Sequence, residues 1–165
     1  YRSRYPISRH VQGTLVLDQA PLEPSASRHD RTFVSDEGCW ADGTCTTVDT
    51  VNAITKTNIL YTIPYEATKF YRLLELSDGR AALVARVDQP EVGYAEVGDT
   101  HLDQNFALDV WVENEDDAAS CLRILFVWSG VTINGDTLTE LNIDGILGEG
   151  TEDTLAAHDA YYDEN

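Results

Sequence analysis

Arg72 is the residue whose setting most invites chemistry. A two-residue reversal at Asp78-Gly79 would pair Leu76 with Ala81, Leu74 with Leu83, Arg72 with Ala85 and Phe70 with Val87, all on one side of a β-ribbon. A guanidinium among those apolar neighbours cannot shed its charge. It must meet a carboxylate such as Asp109, backbone carbonyls, or the anionic group of a ligand. The expected binding set is therefore Arg72 with Phe70, Leu74, Leu83, Trp111 and Tyr61, the aromatic members lining a pocket wall. Tyr71 and Tyr94 sit beside predicted strands and are lesser candidates, while Trp128 is expected in the core.

Other reactive residue types form no recognisable constellation. The histidines, His10, His29, His101 and His158, are far apart in sequence and match no metal-ligand spacing. Ser77, Ser120 and Ser129 lack the Gly-x-Ser-x-Gly elbow, so no catalytic residue is expected. Acidic turns at Asn114 to Asp117 and at Asn142, Asp144 and Glu149 offer hard oxygen ligands but not the twelve-residue calcium loop. No metal and no cofactor are expected. Cys39 and Cys45 bracket a short loop that a disulfide would close, leaving Cys121 buried and reduced; the alternative pairs Cys121 with one of them.

The elements that must position these residues read mainly as strands. The Asp78-Gly79 reversal and a second at Asn134-Gly135 define two hairpins. The second faces Ile133 with Asp136, Trp128 with Leu141 and Phe126 with Ile143, placing Leu122, Ile124, Phe126 and Trp128 on a core face. Between the hairpins, Phe106, Leu108, Val110 and Val112 alternate with Ala107, Asp109, Trp111 and Glu113. Further strands are expected at 11–18, 32–35, 46–51 and 58–63, the last stopped by Pro64, and a short helix over 151–162 capped by Thr151. The expected fold is all-β and mainly antiparallel: a meander barrel, calycin-like in architecture, with a short C-terminal helix. The Gly-x-Trp of lipocalins is missing at Gly13-Thr14-Leu15. A two-sheet β-sandwich or jelly roll is the alternative.

Charge divides the chain unevenly. The first 31 residues carry five arginines against three acids, whereas the whole 165-residue chain has a net charge of −18. Residues 1–10 read as a basic extended arm, and 11–165 as one acidic β domain. Opposite potentials lead the arm, through Arg2, Arg4 and Arg9, onto acidic surface of its own body or of a neighbouring copy. Such acidity repels phosphate backbones, so nucleic acid is not an expected partner. No apolar run reaches the roughly 18 to 20 residues that cross a bilayer, so no membrane insertion is expected. A first residue of Tyr, the absence of Met and the Cys39/Cys45 spacing suggest a processed, secreted or extracytoplasmic protein.

Three functions follow from these readings. The first is a non-enzymatic barrel that binds a small apolar or anionic molecule near Arg72. The second is a self-assembling structural or surface protein, a homo-oligomer whose residues 1–10 dock on the next copy. The third is a small cyclase or isomerase that works by confinement.

Overall fold

The structure, a computed structural model, describes residues 1–57, 62–133, 136–137 and 143–165, with backbone alone at 136–137 and 143–151. Tyr61, Leu141 and the Asn134-Gly135 reversal lie outside the described residues. The strands are β1 (Arg2–Ser3), β2 (Ala26–Phe33), β3 (Thr47–Thr57), β4 (Thr62–Glu75), β5 (Ala81–Asp88), β6 (Gly93–Tyr94), β7 (His101–Asn114), β8 (Asp117–Ile133) and β9 (Asp136–Thr137). The helices are α1 (Ile7–Thr14), α2 (Glu37–Ala41) and α3 (Ile143–Glu164), with a 3-10 turn at Ala20–Leu22.

All strand pairs are antiparallel, in the order β1-β8-β7-β5-β4-β3-β2, with β6 on β7 and β9 on β8. The expected antiparallel meander with a C-terminal helix is therefore present. Its sheet is not closed by strand pairing: β1 and β2 end the path, and α1 and α3 lie against the inner face. One continuous stripe forms that face, running through Val48, Thr50, Asn52 and Ile54 of β3, Ile63, Tyr65, Ala67 and Tyr71 of β4, and Leu83, Ala85 and Val87 of β5. It continues through Ala107, Asp109 and Trp111 of β7 to Cys121 and Arg123 of β8.

Several sequence expectations are corrected. Residues 7–14 form a helix rather than arm and strand, because Ile7, His10, Val11 and Thr14 recur at helical spacing and Pro6 starts the turn. The second strand begins at Ala26, inside the expected loop. Pro64 does not stop its strand: its missing N–H falls beyond the last β4–β5 pair, Thr68–Asp88, where β5 requires no donor. Ile143 opens α3 instead of facing Phe126, and the helix spans 22 residues. The Ile133–Asp136 pairing stands as expected.

The Asp78-Gly79 hairpin exists, one residue out of the expected register. Gly79 N–H donates to the Leu76 carbonyl at 2.9 Å, and Leu76 N–H to the Arg80 carbonyl at 2.8 Å, so the loop has three residues. Gly79, at φ +85°, takes the left-handed position that ends such a loop. Leu73 therefore faces Leu83, and Leu74 faces Ala82. A slip of one residue sends every side chain of one strand to the other face. Leu83 stays inside, while Phe70, Arg72 and Leu74 move outside and Lys69 and Tyr71 turn in.

Candidate ligand cavity

A cavity of about 420 Å³ lies between the inner face of the sheet and α1, the 3-10 turn and α3. Its apolar wall includes Leu22, Ile54, Ile63, Val87, Leu102 and Leu125. Two polar groups interrupt that wall.

The first group surrounds Glu23, which follows the 3-10 turn. Lys56 Nζ contacts Glu23 Oε1, His29 Nδ1 lies 2.8 Å from Oε2, and Lys69 Nζ stands 3.9 Å from the same oxygen. Burial alone would raise the Glu23 carboxyl, but Lys56, His29 and Lys69 overturn that effect and hold it well below the usual carboxylate range. Burial lowers Lys69 to about 8, with Glu23 opposing the change. Behind them Arg31 is buried, and it donates to Thr14 O, to Asn52 Oδ1 at 3.2 Å and to Tyr71 Oη at 2.6 Å. Among the described residues no carboxylate pairs with it. Burial consequently lowers its pKa from the ordinary arginine value.

The second group lies where α1 and α3 meet β7 and β8. Arg123 grips Asp109 with two bonds, Nε to Oδ1 at 3.0 Å and Nη2 to Oδ2 at 2.6 Å, and donates to Thr154 O at 3.0 Å. Its guanidinium sits 4.8 Å from the Trp111 ring centre. Ser3 Oγ donates to Asp159 Oδ1 and lies 3.0 Å from His10 Nε2. Ser3 has one hydroxyl proton and the carboxylate takes it, so His10 Nε2 is the donor in the second contact. The His10 ring stacks against His158 with centroids 5.7 Å apart, and burial holds both imidazoles neutral, His10 at about 4 and His158 well below its usual value.

Helix α1 reaches this position because Gly13 lets α3 approach: a Cβ there would collide with Tyr162 Oη. Trp40, buried in α2, donates from Nε1 to Thr14 Oγ1 at 2.8 Å and ties α2 to the end of α1. The Asp36 carboxylate caps α2 by accepting from the Gly38 and Cys39 N–H groups.

The structure separates the residues singled out from sequence. Leu83 is in the core and Trp111 lines the cavity. Arg72 leaves the expected apolar face: it is half-exposed outside, and its partner is Asp49 at 2.8 Å, since Asp109 belongs to Arg123. Phe70 is also outside, beneath Arg86 at 4.4 Å, and Leu74 is exposed. The β8 residues expected in the core, Leu122, Ile124, Phe126 and Trp128, are between 44% and 54% exposed on the outer face, and Tyr94 is exposed too. Cys39 and Cys45 form the disulfide, and Cys121 is buried with a free thiol that burial pushes up to about 11.

Residues 1–10 lie on their own chain's acidic surface. Arg2 pairs with Asp117 at 3.5 Å, Arg4 with Asp163 at 2.6 Å, and Arg9 reaches Gln12 and the Tyr162 ring. Sequence reasoning missed Glu23, Lys69, Arg123, His10 and Ser3 as neighbours. The available signal was the alternation of Asp109, Trp111 and Arg123 with oily residues, which marked one face of β7 and β8 as polar.

An antiparallel meander with helices on its inner face and a partly charged internal cavity is the class of protein that fold and site define. No family model, curated protein or solved structure matches the chain. Among the described residues, no helix is long and apolar enough to cross a membrane, and no His, Cys, Asp and Glu group is suited to a metal.

Proposed function

We propose that this protein is a non-enzymatic carrier of a small organic acid, an apolar body with one anionic group held in the cavity. The supporting observation is a local excess of positive charge in a chain of net charge −18. Among the described residues, Lys56, Lys69 and Arg123 line the cavity against Glu23 and Asp109, and Arg31 lies behind them with no carboxylate paired to it. Cations that outnumber the carboxylates beside them favour an anion that replaces lost hydration. At about 30 Å³ per water-sized atom, about 420 Å³ holds roughly fourteen non-hydrogen atoms, the size of a medium-chain carboxylate. Calorimetry with decanoate and its neutral methyl ester, which has no hydroxyl, tests this reading: decanoate should bind more tightly, and Lys69→Met should remove the difference. Equal binding of the two, or an unchanged preference in Lys69→Met, refutes it. The Cys39–Cys45 disulfide supports an exported site of action, where such bonds persist.

A second reading, association of two copies, is favoured by the outer sheet face. Cross-strand rows there run Leu74-Ala82-Val112-Leu122, Arg72-Val84-Val110-Ile124, Phe70-Arg86-Leu108-Phe126 and Thr68-Asp88-Phe106-Trp128. Four strands about 4.8 Å apart and four rows about 6.8 Å apart cover roughly 500 Å². Two such faces reach about the 1,000 Å² of a stable interface. Charge enters these rows as Arg72, Arg86 and Asp88, with Arg72 neutralised by Asp49 and Arg86 by Asp88, leaving a neutral island on an acidic protein. Arg2, Arg4 and Arg9 are engaged within the chain, so this face supports self-association better than residues 1–10 do. Sedimentation should show a dimer that Phe126→Lys converts to monomer; a monomeric parent protein excludes it.

A further inference from the structure

We infer that the cavity recognises a hydroxyl group on its ligand, held between His10 and Trp111. This rests on the organic-acid reading above and specifies the ligand further. Both side chains line the cavity and are almost completely buried. Among the described residues, each has one polar atom without a hydrogen-bond partner, Nδ1 of His10 and Nε1 of Trp111.

Their chemical characters are fixed and complementary. The Asp159–Ser3–His10 chain places the His10 proton on Nε2, leaving Nδ1 as an acceptor. Arg4 N–H at 2.9 Å and Tyr1 Oη at 3.2 Å donate to the other Asp159 oxygen, which anchors the end of that chain. Indole Nε1 carries a hydrogen and has no lone pair to offer, so it is a donor alone. The two rings are neighbours, with centroids 5.7 Å apart. An orphan acceptor on one ring and an orphan donor on the neighbouring ring complement an alcohol, whose oxygen accepts one bond and whose proton makes the other. A carboxylate cannot satisfy both, because it has no proton for His10. An ether or ketone fails for the same reason, and an ammonium cannot accept from Trp111.

The arrangement is also separate from the anion-holding group. Arg123 lies over the Trp111 ring but has Nε and Nη2 committed to Asp109 and Nη1 to the Thr154 carbonyl, whereas Lys69 and Arg31 belong to the Glu23 side. The geometry thus describes a two-point ligand, a hydroxylated apolar acid. Its carboxylate meets Lys69, and its hydroxyl completes the His10–Trp111 pair.

Calorimetry with decanoate and its 2-, 3- and 10-hydroxy derivatives tests the inference on the full chain. Sites that leave buried polar groups unpaired discriminate strongly against the deoxy analogue, so at least one hydroxy acid should bind tenfold or more tighter than decanoate. The indole N–H resonance of Trp111 should shift with that acid and not with decanoate. Trp111→Phe should cut the preference, read as the ratio of the hydroxy-acid affinity to the decanoate affinity in the same variant, to below threefold. Equal affinities across the series, with the indole resonance unmoved, overturn the inference and leave the carrier reading intact. Failure of every acid, decanoate included, overturns both.

Discussion

Arg72, which the sequence nominates as buried, and Arg123, one of the arginines that the structure buries, give stability predictions of very different size. Arg72 belongs to an open pair, its side chain 40% exposed and that of Asp49 35% exposed. Such pairs contribute about 0.5 kcal/mol after solvent screening, so Arg72→Ala should lower stability by no more than about 1 kcal/mol. Arg123 is 3% exposed and its partner Asp109 11%, with two hydrogen bonds between them. Removing that guanidinium strands a buried carboxylate, which costs about 3–5 kcal/mol. It also releases the Thr154 carbonyl and the stacking on Trp111. For a domain of this size each kcal/mol shifts Tm by about 3 °C, so Arg123→Met should melt roughly 9–15 °C below the parent and Arg72→Ala within about 3 °C of it. Urea unfolding followed by circular dichroism measures both, and an unchanged m-value would confine the effect to the native state. Adding Asp109→Leu to Arg123→Met should recover more than half the loss, since the stranded charge is then gone. If Arg72→Ala proved as damaging as Arg123→Met, the register assigned to β4 and the location of the polar face would both be wrong.

Ligand affinity and unliganded stability should respond to alkali in opposite directions through Lys69. Carboxylate binding should weaken as pH rises through about 8, where the amine loses its proton. Between about 8 and the ordinary 10.5 the unfolded chain holds a proton that the folded one has released, so this group makes stability rise with pH. Calorimetry across pH 7 to 10, with Lys69→Met as reference, checks both signs. On the acid side, His10 refuses between 6.5 and about 4 the proton that the unfolded chain accepts, so stability should fall as pH falls through that window, read as a declining urea midpoint. Gly13→Ala should destabilise by about 1–3 kcal/mol through overpacking against Tyr162 Oη, and Tyr162→Phe should restore part of it in the double variant's melting curve. Replacing Cys39 and Cys45 by Ser should cost about 2 kcal/mol, the loop-closure value for so short a span, in the same assay.

Much of the architecture was legible in the chain itself. Asp78-Gly79 announced a reversal, alternation over 106–113 and 122–128 announced strands, and the absence of long helical periods between them forced antiparallel connections. The spacing of Cys39 and Cys45 in a seven-residue loop announced their bond. Helix α1 was missed although Ile7, His10, Val11 and Thr14 carry its period, because Pro6 and the local positive charge drew attention to an extended arm. The site residues were missed for a different reason. A count of oily side chains points the wrong face inward on β7 and β8, where the richer face, Phe106 to Val112 with Leu122 to Trp128, is turned outward. The inner face holds Asp109 and Arg123, whose two mutual hydrogen bonds let both charges be buried, so burial there does not follow the count of oily side chains.

Local chemistry therefore determined the elements: tight reversals, alternation and a short disulfide loop act over a few residues and need no distant partner. Tertiary structure decided which face each strand presents, because one additional loop residue before Gly79 inverts β4, and either register satisfies the local rules. It also decided the site, since Ser3, His10, Glu23, Lys69, Arg123 and Asp159 are separated by as many as 156 positions and become neighbours when the sheet folds around α1 and α3. Proximity of that kind arises from long-range strand pairing and helix docking, which no local pattern encodes.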